Sequence, residues 1–407
     1  MQTFIDPGLL QRARVGPLAP YLDAYLKHVE QEGFLPSSAP MQVYAIARFS
    51  NWLHGRQLAV RQIDEATVER FLERDPSIVH SGESAPLHRL LAMLRQLGVT
   101  TAKAPEPRTC QQLLTDEYHH YLVRERGLAE STLENYVSFA EQFLSNRFGS
   151  GGLSLSELTA TDVTGFVQGR AHQLSPGRAK LLVTALRSFL RYLHHQGKIP
   201  ADLARCVPAV AIWSLSVLPK SLPIGTVQRL LDHCERNTPH GKRNYAVLLL
   251  LARLGLRAGE IVALNLDDID WDSGRITVRC KGGRWAHLPL PVDVGEAIVI
   301  YLRSGRPRCA CRRVFLRCRA PLRGFENYNA VSTIVRRALI SAGVDSARKG
   351  AHLFRHTLAT DLLRQGASLD EIGELLRHQS PNTTALYAKV DLNALRTLAL
   401  PWPGGVQ

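Results

Sequence analysis

Apolar residues recur three and four positions apart through most of this chain, and they alternate with polar ones in only one region. Leu182, Leu186, Phe189, Leu190 and Leu193 fall on one face of a helix, as do Leu87, Leu90, Leu91, Leu94 and Leu97. Each stripe closes a longer pattern that occurs twice. In the first copy Tyr25, Leu26 and Val29 precede Gly33, and Tyr44, Phe49, Trp52, Leu53, Leu58, Ile63, Val68 and Phe71 follow. In the second, Tyr121, Leu122 and Val123 precede Gly127, and Tyr136, Phe139, Phe143, Leu144, Leu155, Leu158, Val163 and Phe166 follow. The periodicity predicts two small helical bundles that are weak repeats of each other. Ser131, three residues before Glu134, reads as a helix cap. Arg170, Arg178, Lys180, Arg187 and Arg191 lie on the polar sides of the later helices, where they can meet phosphates.

The final block is mixed. Tyr245 to Leu254 predicts an apolar helix, and Arg275 to Arg279 alternates as a strand does. Lys281-Gly282-Gly283 reverses the chain into a second strand from Trp285 to Leu290. Helices are expected over Val294–Arg303, Asn329–Ala342, Leu353–Arg364 and Leu369–Leu376, and in a short segment capped by Ser380 with Pro381 at its first position. Between Cys206 and Pro223 three prolines and few charges mark a linker. The expected organisation is an N-terminal helical domain over 1–101, a second helical domain over 106–205, the linker over 206–223, a mixed domain over 224–390 and a tail over 391–407. The fold class is mainly α, with one mixed α/β domain carrying a small antiparallel sheet.

Composition narrows the partners. The 407 residues carry a formal charge of +14, and only nine of the fifty basic residues are lysines. Such a field favours a polyanion, of which nucleic acid is the usual one. The longest apolar run, Tyr245 to Ala252, is far shorter than the roughly eighteen residues a membrane helix needs. The N-terminus lacks the pattern of a signal peptide, and seven scattered cysteines suit reduced thiols, so the expected compartment is the cytoplasm. Cys309, Cys311 and Cys318 lack the paired spacing of a zinc site, and the seven arginines from Arg303 to Arg319 would repel a cation.

The chemistry gathers in the final block. Arg257 opens a helix after Gly255-Leu256, Lys281 sits on the hairpin turn, His352 and Arg355 lie one helical turn apart, and His378 precedes Tyr387. Arginine pairs two phosphate oxygens with a planar fork that stays charged, so two forks can neutralise a pentavalent transition state without a metal. A tyrosine hydroxyl is a nucleophile once activated, and a lysine can protonate a leaving oxygen.

Together these residues resemble the catalytic domain of the tyrosine recombinase (phage-type integrase) family. The shared pattern is Gly255-Leu256-Arg257 with Glu260, a hairpin lysine, His352-Leu353-Phe354-Arg355-His356, a further histidine and a tyrosine. It spans about Leu218 to Pro401, and 106–205 is similar to the family's helical, SAM-like core-binding domain. The resemblance implies that Tyr387 attacks the scissile phosphate to form a 3′-phosphotyrosyl bond while Arg257 and Arg355 clamp its non-bridging oxygens. It implies that Lys281 protonates the departing 5′ oxygen, His352 assists proton transfer and His378 hydrogen-bonds the phosphate. The ester stores the bond energy, so neither ATP nor a metal nor another cofactor is implied. The implied partners are double-stranded DNA with specific recombination sites and three further subunits, identical or related, with the Leu392–Trp402 stretch of the tail docking in cis or on a neighbour. The rivals are a type IB topoisomerase, disfavoured by the added helical domains, and a catalytically silent DNA-binding regulator, disfavoured by the intact residue set. Glu260 is expected to anchor the Arg257 segment, and Thr357 and Thr384 to support helix ends.

One position departs from the pattern. The family carries glycine immediately before the second histidine, and here Arg377 stands there. In a left-handed helix cap a side chain costs roughly 1 kcal/mol. Either the helix ends differently or Arg377 uses the position to touch DNA.

Overall fold

The computed structural model describes residues 5–73, 82–100, 108–128, 130–149, 151–210, 221–280, 282–346 and 348–390. Lys281, the tail over 391–407 and most of the linker lie outside them. The chain forms two compact units, one made of residues 104–217 and the other of 1–103 together with 218–407.

The N-terminal part of the larger unit is helical: α1 (Pro7–Ala13), α2 (Leu22–Gln31), α3 (Ala39–Gly55), α4 (Glu65–Leu72) and α5 (Ser84–Gln96). Its core contains Tyr25, Phe49, Phe71, Leu87, Leu90, Leu91 and Leu94. The buried Tyr25 hydroxyl donates to Gln42 Oε1 at 2.8 Å and reaches the Pro86 carbonyl at 3.2 Å, so it ties three helices together. Leu97 does not join the stripe. Helix α5 ends at Gln96, Gly98 turns the chain with φ of 68°, and Leu97 is left exposed.

The smaller unit holds α6 (Cys110–Arg124), α7 (Glu130–Phe148), α8 (Ala160–Ala171) and α9 (Pro176–His195). All five stripe residues of α9 are buried, with Tyr118 set edge-on to Phe189 at 5.0 Å. Thr109 and Gln112 close the start of α6 with reciprocal bonds, which satisfy two of its otherwise unpaired N–H groups. The expected cap at Ser131 is not the start of α7, which already includes Glu130. Arg170, Arg178, Lys180 and Arg191 are exposed, whereas Arg187 is half-buried and donates to the Val207 carbonyl at 2.8 Å.

The remainder of the larger unit follows as α10 (Thr226–Asp232), α11 (Pro239–Leu254), α12 (Ala258–Ala263), β1 (Ile269–Asp270), β2 (Arg275–Arg279), β3 (Trp285–Pro289), α13 (Val292–Ser304), α14 (Asn329–Ser341), α15 (His352–Arg364), α16 (Leu369–Leu375) and α17 (Pro381–Thr384). Helix α11 is the axis. Leu248, Leu249, Leu250 and Leu251 are all buried, so the helix is enclosed on every side, as a continuous apolar run demands. The sheet runs β1-β2-β3, antiparallel throughout, with Ile276 opposite Leu288 and Arg279 opposite Trp285. Ile276, Val278 and Leu288 point into the core, while Arg275, Arg279, Trp285 and His287 face out. Gly282 and Gly283 both take positive φ in the turn. The sequence expectation of a two-stranded hairpin was short by β1, whose two residues cannot display an alternation.

Candidate active site

Helix α11 ends because Gly255 turns left-handed, with φ of 54°. A Cβ there would lie 2.7 Å from Leu376 Cδ2 and 3.1 Å from Leu358 Cδ2. Glycine thus serves both the turn and a close approach. Leu256 then plugs the core, and Arg257 becomes the cap residue of α12. Gly255→Ala is expected to destabilise the fold by about 1–2 kcal/mol or more in urea unfolding, since the strain of a left-handed backbone and the overlap add.

Glu260, almost wholly buried, holds Arg257 twice. Its Oε2 accepts from the Arg257 backbone N–H at 2.8 Å, and its Oε1 accepts from Arg257 Nη1 at 2.8 Å. Arg355 rises from α15 into the interior, with only 5% of its surface exposed. Its Nη1 donates to the Gly255 carbonyl at 2.6 Å and its Nη2 to the Leu376 carbonyl. One arginine fork therefore clasps the ends of α11 and α16. Burial, then the Arg257 and Arg377 charges, lower its pKa to about 10, so it remains cationic at neutral pH.

Helix α16 ends at Leu375, and Arg377 adopts φ of 56°. Its N–H bonds to the Glu374 carbonyl and the His378 N–H to the Gly373 carbonyl, both at 2.9 Å, the paired bonds of a Schellman motif. The helix does not end differently despite the missing glycine. The Arg377 side chain turns inward, 8% exposed, and its Nη2 meets Glu260 Oε2 at 3.0 Å.

The turn delivers His378. Its Nδ1 lies 2.8 Å from Thr384 Oγ1, and Nε2 has no partner among the described residues. Burial first, then Arg355, Arg257 and Arg377, lower the His378 pKa to about 4. Thr384 thus fixes a histidine rather than only a helix end. Thr357 is inside α15, where its hydroxyl donates to the Leu353 carbonyl and accepts from the Leu222 N–H. Ser380 occupies the cap position of α17 without a side-chain capping bond. Helix α17 stops at Thr384, so Tyr387 belongs to the 3-10 turn Ala385–Val390 that continues it, not to the same α-helix.

Tyr387 is 2% exposed, and its ring lies parallel to that of His378 at 6.3 Å. Its hydroxyl is 2.8 Å from His356 Nδ1. Burial raises the Tyr387 pKa, opposed by Arg355, so at neutral pH it is a phenol that needs a proton acceptor. His356 is lowered to about 4, chiefly by burial and then by His352, Arg348 and Arg355, so it is neutral and able to accept. His352 stands edge-on to His356 at 6.3 Å, and packing around it, then Arg355 and Arg257, lower its pKa.

Of the residues expected from sequence, Arg257, His352, Arg355, His378 and Tyr387 thus converge on one place; Lys281 lies outside the described residues. His356 was not assigned a role from sequence, and the pairing of Arg377 with Glu260 was not foreseen. The signal for His356 was its position four residues after His352, which puts both rings on one face of α15.

Residues 220–393 match the model of the phage integrase family, and residues 115–197 match that of the phage integrase N-terminal SAM-like domain. A putative integrase/recombinase, y4rA, of Sinorhizobium fredii is 47% identical over the full length of both chains. Tyrosine recombinase XerD of Listeria innocua is 31% identical over 68% of this chain and 94% of its own. Among solved structures, XerH site-specific recombinase bound to palindromic difH substrate has a TM-score of 0.55 at 18% identity, covering 81% of this chain and 93% of its own. A lambda integrase dimer bound to a COC′ core site has a TM-score of 0.52 at 19% identity, covering 69% and 95%. These two likenesses concern the fold. Sequence kinship along the whole chain makes this an enzyme of site-specific DNA recombination that works through a tyrosine. The chain belongs to the phage integrase family of tyrosine recombinases.

Proposed function

We propose that this chain integrates, excises or transposes mobile DNA, with Tyr387 as the nucleophile that forms a 3′-phosphotyrosyl bond. The observation that carries this reading is the buried Tyr387 hydroxyl held 2.8 Å from a neutral imidazole beside a cationic guanidinium. In the tautomer with Nε2 protonated, His356 Nδ1 accepts the Tyr387 proton as the oxygen attacks phosphorus. Arg257 and Arg355 take the charge that develops on the non-bridging oxygens. His378 offers Nε2 to the same phosphate, with Thr384 fixing its ring. His352 supports proton transfer from beside His356. Lys281 protonates the departing 5′ oxygen. A second 5′ hydroxyl then attacks the phosphotyrosine, so bonds broken and formed balance, and neither metal nor ATP is required.

In this reading residues 1–101 are an added helical domain, 106–205 grip DNA, 206–223 link them to the catalytic portion at 224–390, and 391–407 form a tail. Four subunits, identical or related to one another, bring two sites together in the cytoplasm. No helix among the described residues is long and apolar enough to cross a membrane. The integrase/recombinase kinship over the full length supports mobile-DNA work over supercoil relaxation.

The test begins with a randomised pool of nicked duplexes, from which covalent capture enriches the preferred site. Two copies of that site in one plasmid should then yield excision products. Relaxation of a plasmid lacking the site, without excision from the other, would favour the topoisomerase reading.

His356→Ala is expected to slow single-turnover cleavage about 10²-fold, the usual worth of a positioned acceptor, with DNA binding retained. For the wild type the acid limb of that rate should fall near the lowered value of about 4, not at the ordinary imidazole value of 6.5, because only the neutral ring accepts. Stability follows the same sign. The folded pKa values of His356 and His378 are depressed, so their contribution is complete above the ordinary value and is lost as pH falls through about 4. Chemical denaturation across that range checks it.

A further inference from the structure

Arg377 is a residue whose presence works against stability on two counts. It holds a left-handed backbone conformation that glycine would take without strain, and its buried Nε has no hydrogen-bond partner among the described residues. Its side chain lies inside the site, not at the surface where the DNA contact expected from sequence would put it. The feature it meets is Glu260, the carboxylate that also anchors Arg257.

Carboxylate and guanidinium pair most favourably fork to fork, two N–H groups on two oxygens. Here that arrangement is blocked. Glu260 Oε2 is taken by the Arg257 backbone N–H and by Arg377 Nη2, so the Arg257 side chain keeps only Nη1 on Oε1. Arg257 Nε and Nη2 have no partner among the described residues, and the side chain is a quarter exposed. They are the donors a phosphate oxygen would use. The charge changes as well. Arg257, Arg355 and Arg377 against Glu260 leave two net positive charges in the cluster, of which Arg355 acts on Tyr387. A phosphodiester brings one negative charge and its pentavalent transition state two, so the extra cation matches the charge that develops during the reaction.

We propose that Arg377 is a positioning residue for strand cleavage: by occupying Glu260 Oε2 it keeps Arg257 from closing fork to fork on that carboxylate, leaving the free edge of Arg257 for the scissile phosphate. The effect acts through Glu260 and is stronger in the transition state than in the DNA complex. The inference rests on the proposed nucleophilic role of Tyr387.

The experiment measures covalent capture of nicked duplexes, enriched with the wild type from a randomised pool, under single-turnover conditions with DNA saturating. Arg377→Gly is expected to cleave about tenfold or more slowly, with DNA affinity within about twofold of wild type and a Tm equal or higher. Arg377→Lys, which keeps a point charge for Oε2, should recover most of the rate. In a Glu260→Gln background, Arg377→Gly should change the rate by less than about threefold, because the carboxylate it competes for is gone. Wild-type cleavage by Arg377→Gly would overturn the inference and leave the functional reading intact. A slow variant whose loss tracks a lowered Tm or weakened DNA binding would overturn it too, reducing Arg377 to a packing residue. If the wild type captures no DNA from the pool, the nucleophilic reading of Tyr387 fails, and the inference falls with it.

Discussion

Tyr387→Phe is expected to abolish covalent capture of nicked DNA, a loss of about 10⁴-fold or more in cleavage, while leaving DNA affinity and fold nearly unchanged. The phenylalanine ring fills the same space against Ala359, Ile372 and Leu376, which form the small apolar cluster around it. Only the hydroxyl is removed, together with its 2.8 Å contact to His356 Nδ1. A buried imidazole nitrogen then loses its partner, which costs about 1–3 kcal/mol of stability at most. The check is a pair of measurements on one preparation: gel-shift affinity and the yield of protein–DNA adduct. Retained binding with no adduct isolates the hydroxyl as the reacting group.

The second large effect is expected at Arg355, and it should appear in stability and rate together. Arg355→Ala removes the donors of two buried carbonyls, Gly255 and Leu376, at about 1–3 kcal/mol each. Those carbonyls belong to the two turns that carry Arg257 and His378, so both displacements spread into the site. Loss of the charge itself should slow cleavage a further 10²–10³-fold or so, the usual worth of one preorganised donor. Arg355→Lys is not expected to rescue. A lysine ammonium is a compact point charge and cannot span two carbonyls while presenting further donors in one plane. Urea unfolding and single-turnover cleavage measure the two parts. A lysine variant with wild-type cleavage would show that charge alone suffices and that the clasp is incidental.

The sequence carried the parts of the site whose local chemistry is self-contained. Gly255-Leu256-Arg257 announces an arginine that opens a helix after an apolar one, and the structure puts Arg257 at the cap of α12; the left-handed turn at Gly255 and the burial of Leu256 emerge only in the fold. The buried stripe of α9 and the enclosed run of α11 follow from periodicity, because burial of one face or of every face is written in spacing. What spacing cannot carry is where a distant segment returns. His356 gains a role only because the turn after α17 brings Tyr387 back to it, 31 positions along the chain. The departure at Arg377 was visible as a missing glycine, but its destination, Glu260, lies 117 positions away. Of the two readings offered for it from sequence, the altered helix end concerned the backbone alone and the DNA contact looked outward, so neither reached Glu260. The break between α17 and the 3-10 turn was also illegible, since three-residue spacing suits either helix. Leu97 shows the opposite limit: it keeps the helical spacing, yet the glycine after it ends the helix first and leaves it in solvent.

The claim on which the rest depends is that DNA becomes bonded to the oxygen of Tyr387. The most direct measurement is mass spectrometry of the captured adduct after digestion of both protein and DNA. The expected result is a 3′-phosphonucleotide remnant on the peptide that contains Tyr387, borne by that tyrosine. A remnant on any other residue, with the Tyr387 peptide unmodified, would contradict it.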